Sequence, residues 1–167
     1  MFRPVAAVAV GMSAAHGAFL SNSLQGSLPE DVRLEDAVQR AVGLDAEYSA
    51  GRFLSRGEVI WANWTLPVAL TGPENERLGA VSALVEARYR IFPGVHIAAR
   101  GEHFGFSQLP TATGLQTWEA AVTRVELGGG YSIMRNVMVK ASWQRNIRDG
   151  GRVRTDSLGA LQVVYWF

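Results

Sequence analysis

Through most of the chain, apolar and polar side chains take turns. Val42, Leu44, Ala46, Tyr48 and Ala50 stand against Gly43, Asp45, Glu47 and Ser49. A strand sends successive side chains to opposite faces, so each such run predicts a strand with one apolar and one polar side. The pattern returns at Val81, Ala83, Val85, Ala87 and Tyr89 against Ser82, Leu84, Glu86, Arg88 and Arg90, and at Val95, Ile97 and Ala99 against His96, Ala98, Arg100 and Glu102. Trp118 is expected to open the next strand, in which Val125, Leu127, Gly129 and Tyr131 oppose Arg124, Glu126, Gly128, Gly130 and Ser132. Val137, Val139, Ala141 and Trp143 then oppose Met138, Lys140, Ser142, Gln144 and Asn146, and Leu161, Val163, Tyr165 and Phe167 share the last face. Residues 53–64 alternate less cleanly, because Leu54 and Ile60 share a side with Arg56 and Glu58, with Val59 and Trp61 opposite. Residues 4–16 read as a first strand of small residues, in preference to a signal peptide over 1–18. Such a peptide would have Arg3 as its only charge and a proline opening its apolar part.

The connections between these runs differ in length. Turns near 51, 93 and 134 are short, Phe92-Pro-Gly94 having proline and glycine where a tight turn wants them. Segments 19–40, 65–79, 107–117 and 148–154 read as long loops, the first with a short helix lined by Leu34, Ala37 and Val38. The expectation is one domain over 1–167: an all-β, antiparallel up-and-down barrel of about eight strands, with 19–40 as a long extracellular loop. Short turns at one end and long loops at the other are the mark of barrels that cross a membrane.

Composition narrows this reading. Eighteen glycines and an aromatic content of 10% favour strands and turns. A formal net charge of +1 gives no electrostatic case for nucleic acid. The absence of cysteine excludes disulfides and thiolate-bound metals. No apolar run approaches the roughly 18 residues of a membrane helix, so any crossing has to be made by strands.

Alternation does not say which face points inward. An apolar-in arrangement gives a soluble barrel that binds an apolar ligand. Two features favour apolar-out. The aromatics Tyr48, Trp61, Tyr89, Tyr131, Trp143 and Tyr165 fall near strand ends, where interfacial girdles lie. The polar side carries Asp45, Glu47, Arg56, Glu58, Glu86, Arg88, Arg90, Arg100, Glu102, Arg124, Glu126 and Lys140, acids and bases on neighbouring strands. Cross-strand pairing lets such charges satisfy one another around a lumen. Facing lipid, each basic group at the bilayer midplane would cost about 2–4 kcal/mol.

The stretch Val125-Glu-Leu-Gly-Gly-Gly-Tyr-Ser-Ile-Met-Arg-Asn-Val-Met-Val-Lys-Ala-Ser-Trp-Gln-Arg-Asn146, Arg148-Asp-Gly-Gly and the terminal Val-Tyr-Trp-Phe resemble the last strands of porin-like outer-membrane proteins. Ala87-Arg-Tyr-Arg-Ile-Phe-Pro-Gly-Val-His-Ile-Ala-Ala-Arg100 and Ala46-Glu-Tyr-Ser-Ala-Gly-Arg-Phe-Leu-Ser-Arg-Gly-Glu58 are similar in the same way. The resemblance covers most of 42–167 and is one of pattern. It implies a bacterial outer-membrane location and passive diffusion of small solutes past the charged face. It also implies a C-terminal assembly signal in Leu161, Val163, Tyr165 and Phe167. The partners implied are membrane lipid, the barrel-assembly machinery and small solutes, with a homo-oligomer admissible. These strands sit at the C-terminal end of barrels of about sixteen strands in that family, so the chain is expected either to close by itself or to be the C-terminal part of a larger barrel.

Enzyme chemistry is not expected, and neither a cofactor nor a metal. His16, His96 and His103 have no ligand spacing, and His103 with Ser107 and Glu102 fits no catalytic arrangement. Gly128-Gly129-Gly130 lies inside a strand with no Lys-Ser/Thr after it. It reads as relief for curvature or lumen space rather than a phosphate loop. Beside the pore stands a second expectation, a small closed barrel whose function lies in its long loops.

Overall fold

The structure is a computed structural model and describes residues 2–21, 23, 26, 33–66, 76–111, 114–150 and 154–167. In chain order its strands are β1 (Phe2–Val5), β2 (Val8–Ala18), β3 (Val38–Ala50), β4 (Phe53–Leu66), β5 (Glu76–Phe92) and β6 (Val95–Phe106). They continue as β7 (Gln108–Thr111), β8 (Gly114–Thr117), β9 (Val122–Met134), β10 (Val137–Arg148) and β11 (Thr155–Tyr165). Nine of them make one sheet in the order β1-β2-β3-β4-β5-β6-β9-β10-β11, with every neighbouring pair antiparallel. The chain is thus an up-and-down meander. Among the described residues the sheet is open, since no strand pairs with the outer edge of β1 or of β11.

The segregation of connections holds. β3 meets β4 through Gly51 (φ +58°) and β5 meets β6 through Gly94 (φ +85°). Both positions need the left-handed conformation that glycine adopts without steric cost. β9 meets β10 through Arg135 and Asn136, and all the longer connections lie at the opposite end.

Several boundaries differ from the sequence expectation. The single strand at 4–16 is a hairpin, because the chain reverses at Ala6 and Ala7 and Phe2 pairs with Val10. Strands β4 and β5 reach Leu66 and back to Glu76, so residues 65–66 and 76–79 of the expected loop are ladder, with Leu78 paired to Trp64. The segment read as a loop at 107–117 folds into the separate hairpin β7–β8. Trp118 lies in the connection, and β9 begins at Val122. The short helix is a 3-10 turn, Leu34–Asp36, followed by the fully buried Ala37. Within the loops expected at 19–40, 65–79 and 148–154, residues 22, 24–25, 27–32, 67–75 and 151–153 lie outside the described residues, and Arg148 belongs to β10.

One glycine of the triplet is there for a close backbone approach. A Cβ on Gly129 would stand 2.9 Å from the carbonyl oxygen of His96 on β6, so a side chain would push the two strands apart. A Cβ on Gly130 would fall on the His96 ring, which uses the vacant space.

Burial follows the reverse of the soluble rule over most of the sheet. On β9 the apolar positions are exposed and the charged ones half-buried. Val85 is 58% and Leu127 52% exposed, whereas no described charged side chain is fully buried. The total accessible surface is 11830 Å². A soluble monomer of this mass shows roughly 8,100 Å². The exposed apolar face and the unclosed sheet both contribute to this excess.

The exception lies at the long-loop end. Leu66 and Leu78 share the charged face, and Leu109 of the β7–β8 hairpin folds onto them, with Phe19, Trp64 and Phe106 around. The three leucines are 5–7% exposed. This is the main core of the described residues.

Candidate functional site

The strand register carries all twelve expected charges onto one face, called the inner face below because it is the less exposed. One row of cross-strand neighbours runs Glu47, Arg56, Glu86, Arg100, Glu126, Gln144 over β3, β4, β5, β6, β9 and β10. Charge alternates at every step until the amide. The adjacent row runs Asp45, Glu58, Leu84, Glu102, Arg124, Asn146, Asp156 and reaches β11. Nearer the short turns the face is basic, with Arg88, Arg90 and Lys140 around His96.

Part of this ladder is bonded. Arg56 Nε donates to Glu47 Oε2 at 2.8 Å. Arg100 Nε donates to Glu102 Oε1 at 2.6 Å, and Arg100 also lies 3.9 Å from Glu86. Arg124 Nη1 donates to the other oxygen of Glu102 at 3.1 Å, and its Nε to Asn146 Oδ1 at 2.9 Å. Asn146 passes the chain on to Asp156 at 3.2 Å and takes a bond from Gln144. A continuous polar string therefore crosses from β5 to β11. Asp45, Glu58, Arg88, Arg90, Glu126 and Lys140 make no ion pair among the described residues, so the cross-strand pairing expected of the charges is met by part of the face. Arg88 faces Leu54 and Ala98, and Lys140 faces Gly130 and Gln162; Asp45 and Glu58 face each other with like charge, and Glu126 stands opposite an Arg100 that turns to Glu102.

The arginines of the ion pairs are 40–56% exposed. Pairs that wet contribute about 0–1 kcal/mol each to stability. Their larger effect is on the field, since paired charges cancel and leave the unpaired groups to set its sign over the inner face.

The outer face carries Tyr48, Trp61, Tyr89, Tyr131, Trp143 and Tyr165, all exposed. The four tyrosines lie close to the short turns and form one band with Phe53, whose ring is 6.2 Å from that of Tyr48. Trp61 and Trp143 sit on the other half of their strands, each five residues short of the ends at Leu66 and Arg148. Leu161, Val163 and Tyr165 follow on the exposed outer side of β11. The strand stops at Tyr165, with one further backbone bond from Trp166 to Asn136, so Phe167 lies past the ladder.

The grouping of Glu102, His103 and Ser107 does not form. Glu102 faces inward and His103 outward, where its Nδ1 meets Thr123 Oγ1 at 2.9 Å. Ser107 Oγ accepts the Gly79 amide at 2.8 Å.

Sequence reasoning missed the upper inner face. Trp64, Leu66, Leu78, Phe104 and Phe106 continue the charged parity toward the long loops, and Arg148 follows Lys140 at even spacing. The signal was present, but the strands were ended too early for the parity to reach these residues. Between the ladder and the aromatics lies a cavity of about 460 Å³, bounded by Glu58, Leu84, Phe104, Val122, Arg124 and Arg148 among others.

No family model matches the chain, and no curated protein and no solved structure matches it.

Proposed function

We propose that this sheet is wall of a transmembrane β-barrel of the bacterial outer membrane, through which small solutes diffuse along the charged inner face. The observation that carries the reading is the inversion of exposure: an apolar face open to its surroundings and a charged face turned to the more enclosed side. Lipid would cover the first, and water the second. Strands of 11–17 residues in the main sheet, β1 apart, exceed the 9–11 or so that a tilted strand needs to cross. The open edges require pairing in lipid, either with each other or with further strands. The tyrosine band marks the interface at the short-turn, periplasmic end, and β11 with its aromatic end serves the assembly machinery.

Planar-bilayer recording of the folded protein tests the pore. Stepwise conductance is expected, and a silent bilayer containing folded protein rejects it. Detergent partition with heat-modifiable gel mobility tests the membrane barrel itself, which fails if the protein stays in the aqueous phase.

The Leu66–Leu78–Leu109 cluster favours a second reading, a barrel closed at the long-loop end and working through its loops. It predicts folded, detergent-partitioning protein with no conductance.

A further inference from the structure

Phe104, Val122 and Arg148 are consecutive cross-strand neighbours on β6, β9 and β10, all on the inner face. Such neighbours lie about 5 Å apart. They line the same cavity, directly above the bonded row of Glu102, Arg124 and Asn146. Phe104 is 41% exposed. It is held edge-on by Phe106 with centroids 4.8 Å apart. The row therefore offers an apolar shelf ending in a guanidinium.

That guanidinium is distinct among the cavity's cations. Arg100 and Arg124 already hold Glu102, whereas Arg148 makes no ion pair among the described residues. The acid on the neighbouring strand, Asp156, is taken by Asn146. The other unpaired charge, Glu58, stands on the far wall, on β4.

We propose that Phe104, Val122 and Arg148 form a binding subsite for small organic carboxylates with an apolar body. The body lies on Phe104 and Val122, and the carboxylate takes a bidentate, charge-assisted pair from Arg148. The cavity is of a size that holds a small organic ligand, and its lining is divided: Leu84, Phe104 and Val122 are apolar, while Glu58, Arg124 and Arg148 among others are charged. The proposal rests on the inner face being the solute path, and it names the solute class.

The test is titration calorimetry of the folded protein in micelles, with empty micelles subtracted. The probes are benzoate, benzylamine (the same ring with opposite charge) and acetate (the same charge without the ring). Benzoate should bind about tenfold more tightly than either: against benzylamine the difference is the charge-assisted bond to Arg148, and against acetate it is burial of the ring on Phe104 and Val122. Arg148→Gln should abolish the preference for benzoate over benzylamine, and Phe104→Ala should weaken benzoate while leaving acetate unchanged. Heat-modifiable mobility checks that both variants fold. Equal binding of benzoate and benzylamine, tighter binding of benzylamine at Glu58, or benzoate binding untouched by Arg148→Gln each overturns the proposal. Selective benzoate binding by a protein that is silent in bilayers overturns the pore and leaves the subsite standing. Conductance without discrimination among the probes does the reverse.

Discussion

Two regions of the inner face obey opposite rules on the same strands. In the middle, β4, β5 and β6 present Arg56, Glu86, Arg100 and Glu102, half-exposed and held by charge. A few residues further toward the long loops they present Leu66, Leu78 and Phe106, packed under Leu109. The middle buries little, so its stabilisation has to come from the backbone ladder and from whatever covers the outer face. The upper part is an ordinary core. The difference teaches that a strand's period alone does not assign a side: the same parity can be wet at one level and dry at the next.

The sharpest way to break the comparison is to put a charge into the dry region. Leu78→Asp should undock the β7–β8 hairpin and destabilise the fold by about 3–5 kcal/mol, the cost of a lost core leucine plus an unpaired buried acid. The urea midpoint of unfolding measures it. If Leu78→Asp is as mild as a surface change, the cluster is not a core. Next in size is the contrast between faces. Val85→Arg, on the exposed outer face, should cost about 2–4 kcal/mol in a bilayer and far less in water. Leu84→Arg, its neighbour on the inner face between Glu58 and Glu102, should be nearly neutral in both. Equal effects in lipid vesicles would remove the case for an apolar-out sheet. The smallest effect is expected within the ladder itself. Glu102→Gln frees two arginines at once, yet stability should fall by only about 1 kcal/mol or less, because both arginines are wet. In bilayers the same change should shift ion selectivity toward anions, read from the reversal potential in a salt gradient. A large loss of stability with unchanged selectivity would make the ladder a structural element instead.

The meander and its faces were legible in the sequence because the strand period is two and both glycine turns announce themselves. The twelve charges fell on one side for the same reason. What was not legible has a physical cause in each case. The reversal at Ala6 and Ala7 carries no glycine or proline. The β7–β8 hairpin is held by tertiary contact of Leu109 with residues on other strands, which no local pattern records. Ion pairing depends on side-chain reach, so Arg100 binds Glu102 on its own strand and leaves Glu126, directly opposite, without a partner among the described residues.

The bonded ladder also bears on how such a sheet could be assembled. Glu47–Arg56 lies within the hairpin β3–β4, Glu86–Arg100 within β5–β6, and Arg124–Asn146 within β9–β10. Each of these hairpins is closed by a short turn and forms without the loop-closure entropy of the long connections. Each therefore brings its own counter-charges and hydrogen-bond partners to the growing sheet. Among the described residues, Glu102–Arg124 is the ion pair that ties two hairpins together, β6 of one to β9 of the next. Like the bonds from Ser55 to the Glu86 carbonyl and between His103 and Thr123, it forms only when neighbouring hairpins dock, so these contacts report assembly between hairpins rather than within them.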